Sequence, residues 1–175
     1  VVCMTNQKQI GLGLIMYSSD YGCFPWGAAT NFEGATEIIA RDTAADYLVT
    51  VKNYLPQPRL FVCPTDPQRK PAATNFAEFS NSNLSYFVSL DAARALLATS
   101  GPVAFILTGD RHLASDQRPV PPGRFSVTNA AVMTWTRELH YVKDAMQPSG
   151  VLVFADGHAE ARRRGGEGRE RGARS

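Results

Sequence analysis

The stretch Cys3-Met-Thr-Asn-Gln-Lys-Gln-Ile-Gly-Leu-Gly-Leu-Ile-Met-Tyr-Ser-Ser-Asp-Tyr21 decides how the rest of the chain is read. Its side chains Cys3, Ile10, Leu14, Tyr17 and Tyr21 recur at spacings of three, four and seven, which places them on one face of a helix. The spacing predicts one amphipathic helix. Gly11 and Gly13 lie inside it, and each costs about 1 kcal/mol relative to Ala in a helix interior. Two arrangements would offset that cost: close approach of the helix to a sheet beneath it, or tight helix-on-helix contact in an assembly. The helix ends at Tyr21-Gly-Cys-Phe-Pro25, because Gly22 can take a left-handed cap and Pro25 cannot continue it.

Beyond a loop through Gly34, a second helical pattern runs from about Thr36 to Leu55, with Ile39, Tyr47, Leu48, Val51 and Leu55 inward. Thr43 followed by Asp46 resembles a capping box, so this segment reads equally as two shorter helices joined near Asp42. Leu60–Cys63 is a short strand candidate closed by Pro64, and the residues from Thr65 to Asn83 form a long loop. From Leu84 the pattern changes to short β-type runs: Leu84–Leu90, Val103–Leu107, Phe125–Thr128, Ala131–Trp135 and Val151–Ala155. A short helix is expected over Ala92–Ala98, capped by Asp91. Asp156-Gly157 lies between two runs and predicts a two-residue hairpin turn. Helices first and strands afterwards imply an α+β fold, a long N-terminal helix packed on an antiparallel sheet.

The chain has 175 residues, 44% of them hydrophobic and 19% charged, which suits one globular domain and excludes disordered and collagen-like classes. Its formal charge of +2 is misleading, because residues 161–175 hold six Arg against Glu167 and Glu170. The body, residues 1–160, is therefore slightly acidic and lacks the basic excess that phosphate-backbone binding needs. Residues 161–175 read as a disordered Arg/Gly/Glu-rich tail. The longest apolar runs, Val103–Leu107 and Val151–Ala155, are far short of the roughly 20 residues of a transmembrane helix.

Candidate chemistry is sparse. His112, His140 and His158 lie near Asp110, Asp116 and Asp156, but their spacings match no standard metal site. Gly109-Asp-Arg-His112 reads as a polar turn ending a strand, with Asp110 paired to Arg111 or Arg118. Cys63 has Pro64 and Asp66 beside it and nothing that would stabilise a thiolate. Cys3, Cys23 and Cys63 allow one disulfide in three pairings, and sequence does not choose among them. No glycine-rich phosphate fingerprint or nucleophile elbow occurs.

The order of short motifs is more informative than any one of them. Val2-Cys-Met-Thr-Asn-Gln-Lys-Gln-Ile-Gly11, Met16-Tyr17, Phe24-Pro25, Phe61-Val-Cys-Pro-Thr-Asp-Pro67, Leu84-Ser-Tyr-Phe-Val88, Gly109-Asp-Arg111, Trp135 with His140, and Val153-Phe-Ala-Asp-Gly-His158 follow one another along residues 2–160. In that order they resemble the part of a prepilin-like protein that follows its hydrophobic N-terminal helix. The likeness is to type II secretion or type IV pilus pseudopilins with a processing-associated His-x9-Asp-Gly domain, although His140 and Asp156 here stand farther apart. The motif residues with an implied structural role are Gly11, Tyr17, Pro25, Pro64, Asp66, Tyr86, Asp110, Arg111, Trp135, His140, Asp156 and Gly157.

The resemblance implies an exported, non-enzymatic subunit, anchored in the inner membrane with its globular domain in the periplasm or at the cell surface. It would assemble with other pilin-like subunits through the N-terminal helix and work with secretion machinery. It also implies that a membrane half-helix precedes Val1, and it makes Cys3–Cys63 the preferred disulfide because both lie in family motifs. No cofactor is expected. Major pseudopilins of the secretion system carry a calcium site in a late loop, for which no ligand set can be assigned in this sequence. The alternatives are a cell-surface ligand-binding module on the same scaffold and, more distantly, a hydrolase or metal enzyme using the histidines.

Overall fold

A computed structural model describes residues 2–32, 34–37, 43–66, 68, 71–90, 105–115, 118–120, 123–124, 126, 133–136 and 149–163. The opening stretch forms a single α-helix, α1 (Val2–Tyr21). Among the described residues no helix is long and apolar enough to cross a membrane. The face that α1 buries carries Gln7, Ile10, Gly11, Leu14 and Tyr17. Tyr21 was expected on that face; it is instead exposed, with its ring stacked on Tyr17 at 4.5 Å between centroids. The position is the last of the helix.

Two antiparallel sheets follow. Strands β1 (Tyr86–Val88), β2 (Ile106–Asp110), β6 (Ser149–Phe154) and β7 (Ala159–Arg163) form the first, in the order β1-β2-β6-β7. Strands β3 (Leu113–Ser115), β4 (Arg118–Pro119) and β5 (Met133–Trp135) form the second, in the order β4-β3-β5. The α+β arrangement of a long N-terminal helix with antiparallel sheets is thus present. The first sheet is covered on both faces. Val153 meets α1 on one side, while Leu152 and Phe154 on the other join Leu113 and Trp135 in a small second core. The main core gathers Ile10, Leu14 and Tyr17 of α1 with Phe24, Leu48, Phe61, Tyr86 and Leu107.

The glycines of α1 are explained by this packing. A Cβ on Gly11 would lie 2.5 Å from Val153 Cγ1, and one on Gly13 would lie 2.5 Å from Leu55 Cγ. Val153 is fully buried and its short branched side chain has nowhere to turn. Gly11→Ala is therefore expected to destabilise the domain by about 1–2 kcal/mol, although Ala is the better helix former. A urea midpoint equal to or above that of the parent would show that the layer has slack here.

Several elements differ from the sequence expectation. Among the described residues, the second helical pattern yields α2 (Ala44–Val49) and a run of turns after it, with Tyr47, Leu48, Val51 and Leu55 all buried as expected, while Ile39 lies outside the described residues. The α2 N-terminus is not closed by a capping box: Thr43 bonds the Asp46 side chain, while the Ala45 N–H donates to Asn81 Oδ1 at 2.9 Å. Leu60–Cys63 is not a strand. Pro58 at the first position starts a 3₁₀ turn, Pro58–Phe61, which drives Phe61 into the core. Strand β2 begins and ends later than the apolar run Val103–Leu107, and it includes Gly109 and Asp110.

At the carboxyl end β7 runs to Arg163, so three residues expected in the tail pair with β6. The hairpin before it has three loop residues rather than two. Phe154 N bonds His158 O at 3.0 Å and Gly157 N bonds Phe154 O at 2.9 Å, with Gly157 at φ 87°. That is a turn followed by a left-handed glycine, the conformation for which Gly is favoured. The helix expected over Ala92–Ala98, His140, residues 164–175 and, apart from Ser126, Phe125–Thr128 lie outside the described residues.

Candidate functional site

Polar side chains concentrate where the start of α1 meets the end of β2. Asp110 is buried on the sheet face turned toward α1, since Gly109, its neighbour on the strand, faces Phe87 and Leu152 on the other side. Gln7 Nε2 donates to Asp110 Oδ1 at 2.8 Å, and the Val151 backbone N–H donates to Oδ2 at 2.8 Å. One carboxylate therefore links α1, β2 and β6. It does not pair with Arg111 or Arg118 in a turn, as its sequence neighbourhood suggested.

Arg111 points instead to Asp66. Its Nε and Nη2 donate to Asp66 Oδ2 and Oδ1, both at 2.9 Å, in the bidentate fork that suits guanidinium and carboxylate. Nη2 also reaches Gln68 Oε1 at 3.2 Å. The Asp66 side chain is fully buried and that of Arg111 is 18% exposed. His112 Nε2 stands 3.6 Å from Asp66 Oδ1. Tyr86, paired across the strands with Asp110, has its hydroxyl pushed well above the usual phenol range by burial and then by the Asp110 charge, with Asn6 opposing. It stays protonated at any physiological pH.

The third tie is covalent. Cys3 and Cys63 form a disulfide with their Cα atoms 5.3 Å apart, joining the first turn of α1 to the segment that carries Asp66. Asn6 Nδ2 donates to Val62 O at 3.3 Å beside it. Cys23 is a free, half-buried thiol. An open groove of about 680 Å³ beside the disulfide is lined by Val2, Asn6 and Gln9 of α1 together with Arg59, Val62 and Pro71.

The motif residues therefore divide by place. Asp66, Tyr86, Asp110 and Arg111 come together in this cluster, with Pro64 exposed on the turn that leads into it. Gly11, Tyr17 and Pro25 are buried packing residues. Trp135 lies in the second core, against Gly150. Asp156 and Gly157 sit at the exposed hairpin tip, where the His158 backbone N–H and ring hold the Asp156 carboxyl below its usual range. Gln7 and Asn6 were not singled out from sequence; an amide three residues before Ile10 on the buried face is the signal that was there to read.

All four carboxylate oxygens of Asp66 and Asp110 accept hydrogen bonds from this chain. Such carboxylates tie segments together. Among the described residues, no group of three or more His, Cys, Asp or Glu side chains is placed to hold a metal ion.

Comparison with known proteins bears on the same end of the chain. Residues 1–38 match a family model described as Protein of unknown function (DUF1559). The match covers α1 and the 3₁₀ turns that follow it, and the family is associated with pilin-like and type II secretion proteins. It is consistent with a pilin-like exported protein. No curated protein and no solved structure matches the chain.

Proposed function

We propose that this chain is a structural, non-catalytic subunit of a pilin-like filament, of the type II secretion pseudopilus or type IV pilus kind, assembled through α1. The observation that carries the reading is the outer face of that helix. A helix docked on a sheet ordinarily turns polar residues outward. Here Val2, Leu12 and Met16 are 55%, 58% and 49% exposed, and Leu12 and Met16 are neighbours one turn apart. A single exposed apolar residue is commonplace, but adjacent ones on the segment matched by the family model call for a partner.

On this reading the chain is exported and held at the inner membrane, with its globular part in the periplasm or at the cell surface. Its partners are other pilin-like subunits and secretion machinery, with no nucleic acid among them. Leu12→Glu and Met16→Glu are surface changes, expected to leave the unfolding free energy within about 0.5 kcal/mol of the parent. Both are expected to abolish recovery of the subunit in sheared filament fractions. Undiminished filament yield from the two variants would sink the proposal.

A further inference from the structure

We infer that two copies of this chain pair in solution through α1, laid antiparallel about a two-fold axis level with Leu14. Lys8, Leu12, Met16 and Asp20 are all exposed and follow one another at intervals of four, so they form one ridge along the outer face of the helix. The ridge spans about 18 Å. Lys8 and Asp20 are the only charged side chains of α1, and they stand at the two ends of the ridge with the apolar pair between them. Asp20 accepts from the Tyr54 hydroxyl at 2.6 Å through one oxygen, which steadies the carboxylate and leaves the other to a cation.

Reversed about Leu14, this ridge is its own complement. Lys8 and Asp20 are equidistant from residue 14, and so are Leu12 and Met16. Antiparallel pairing therefore sets Lys8 against Asp20 of the second copy and Leu12 against its Met16, with each contact made twice. Aligning two ridges of this pitch crosses the helices at about 50°, the commonest packing angle. Parallel helices in register would set like charges together. A parallel stagger that paired the charges would carry Leu12 and Met16 of one copy past those of the other. The pair goes beyond the filament reading, because a two-fold contact closes on itself and cannot extend. On that reading a paired subunit has Leu12 and Met16 covered and is withheld from assembly.

One helix pair covers less than the standard interface of about 1,200–2,000 Å², so the dimer belongs to the weak, reversible class. Sedimentation equilibrium of the whole chain tests it over a series from micromolar to millimolar. The parent is expected to approach twice its mass of 19.1 kDa and to stop there. Lys8→Glu turns both ion pairs repulsive and should weaken dimerisation about tenfold, as should Asp20→Lys. Combining the two substitutions restores opposite charges and should return the affinity to within about threefold of the parent. A parent that stays monomeric throughout, a mass that keeps growing past the dimer, or a double variant no tighter than the single ones would each overturn the two-fold pair. None of these readouts uses filament yield, so the filament reading stands or falls separately.

Discussion

Asp110→Ala is expected to lower the free energy of unfolding by about 3–5 kcal/mol. The carboxylate accepts from Gln7 Nε2 and Val151 N, and a hydrogen bond to a charged group contributes about 1.5–3 kcal/mol. Removing it strands the buried Gln7 amide and takes the acceptor from the part-buried Val151 N–H. The loss would also uncouple three elements at once, so it should appear in urea unfolding as a shifted midpoint with an unchanged slope. Asp110→Asn keeps one acceptor oxygen and should cost about half as much. A loss below about 1 kcal/mol for the alanine variant would mean that the α1–β2–β6 junction is held by packing alone.

Cys3→Ala combined with Cys63→Ala is expected to cost about 4 kcal/mol. The bond closes a loop spanning a sequence separation of 60, and cross-linking a loop of that length removes about this much freedom from the unfolded chain. The effect belongs mainly to the unfolded state, so secondary structure by circular dichroism should be almost unchanged while the guanidinium midpoint falls. Cys23 is a thiol in both forms and cancels in the comparison. An equal midpoint with and without the bond would imply that the unfolded chain already keeps the helix start near residue 63.

How much could be read in advance depended on whether a signal was local. The three-and-four spacing of Ile10, Leu14 and Tyr17 located α1 and its buried face, and Asp156-Gly157 located the hairpin between β6 and β7. Both are patterns within a few residues of one another. Leu60–Cys63 misled because an apolar run of four suits a strand and a buried turn alike, and Pro58 decided for the turn. Strand β2 was misplaced because its last residues, Thr108, Gly109 and Asp110, are not apolar. They stay in the ladder since Thr108 Oγ1 donates to Phe87 O and Asp110 is satisfied by Gln7 and Val151.

The polar cluster was legible only in its membership. Asp66, Tyr86, Asp110 and Arg111 were marked by the motif order, but Arg111 chooses a carboxylate 45 residues away over the one next to it. That choice is made by the fold: β2 turns Asp110 toward α1, and the segment after Cys63 brings Asp66 to the guanidinium. In the second sheet, β5 lies within the expected run Ala131–Trp135, whereas β3 (Leu-Ala-Ser) and the two-residue β4 are too short to carry a periodic signal.

The contact between Gly11 and Val153 makes two positions at opposite ends of the chain answerable to each other. Neither residue can grow without the other shrinking, since the gap between helix and sheet is already filled. A descendant of this protein that acquired a side chain at position 11 would have to give up branching at position 153 in the same stroke or soon after. The two sites should therefore drift as a pair, a mark of shared ancestry that would outlast the motifs on the surface.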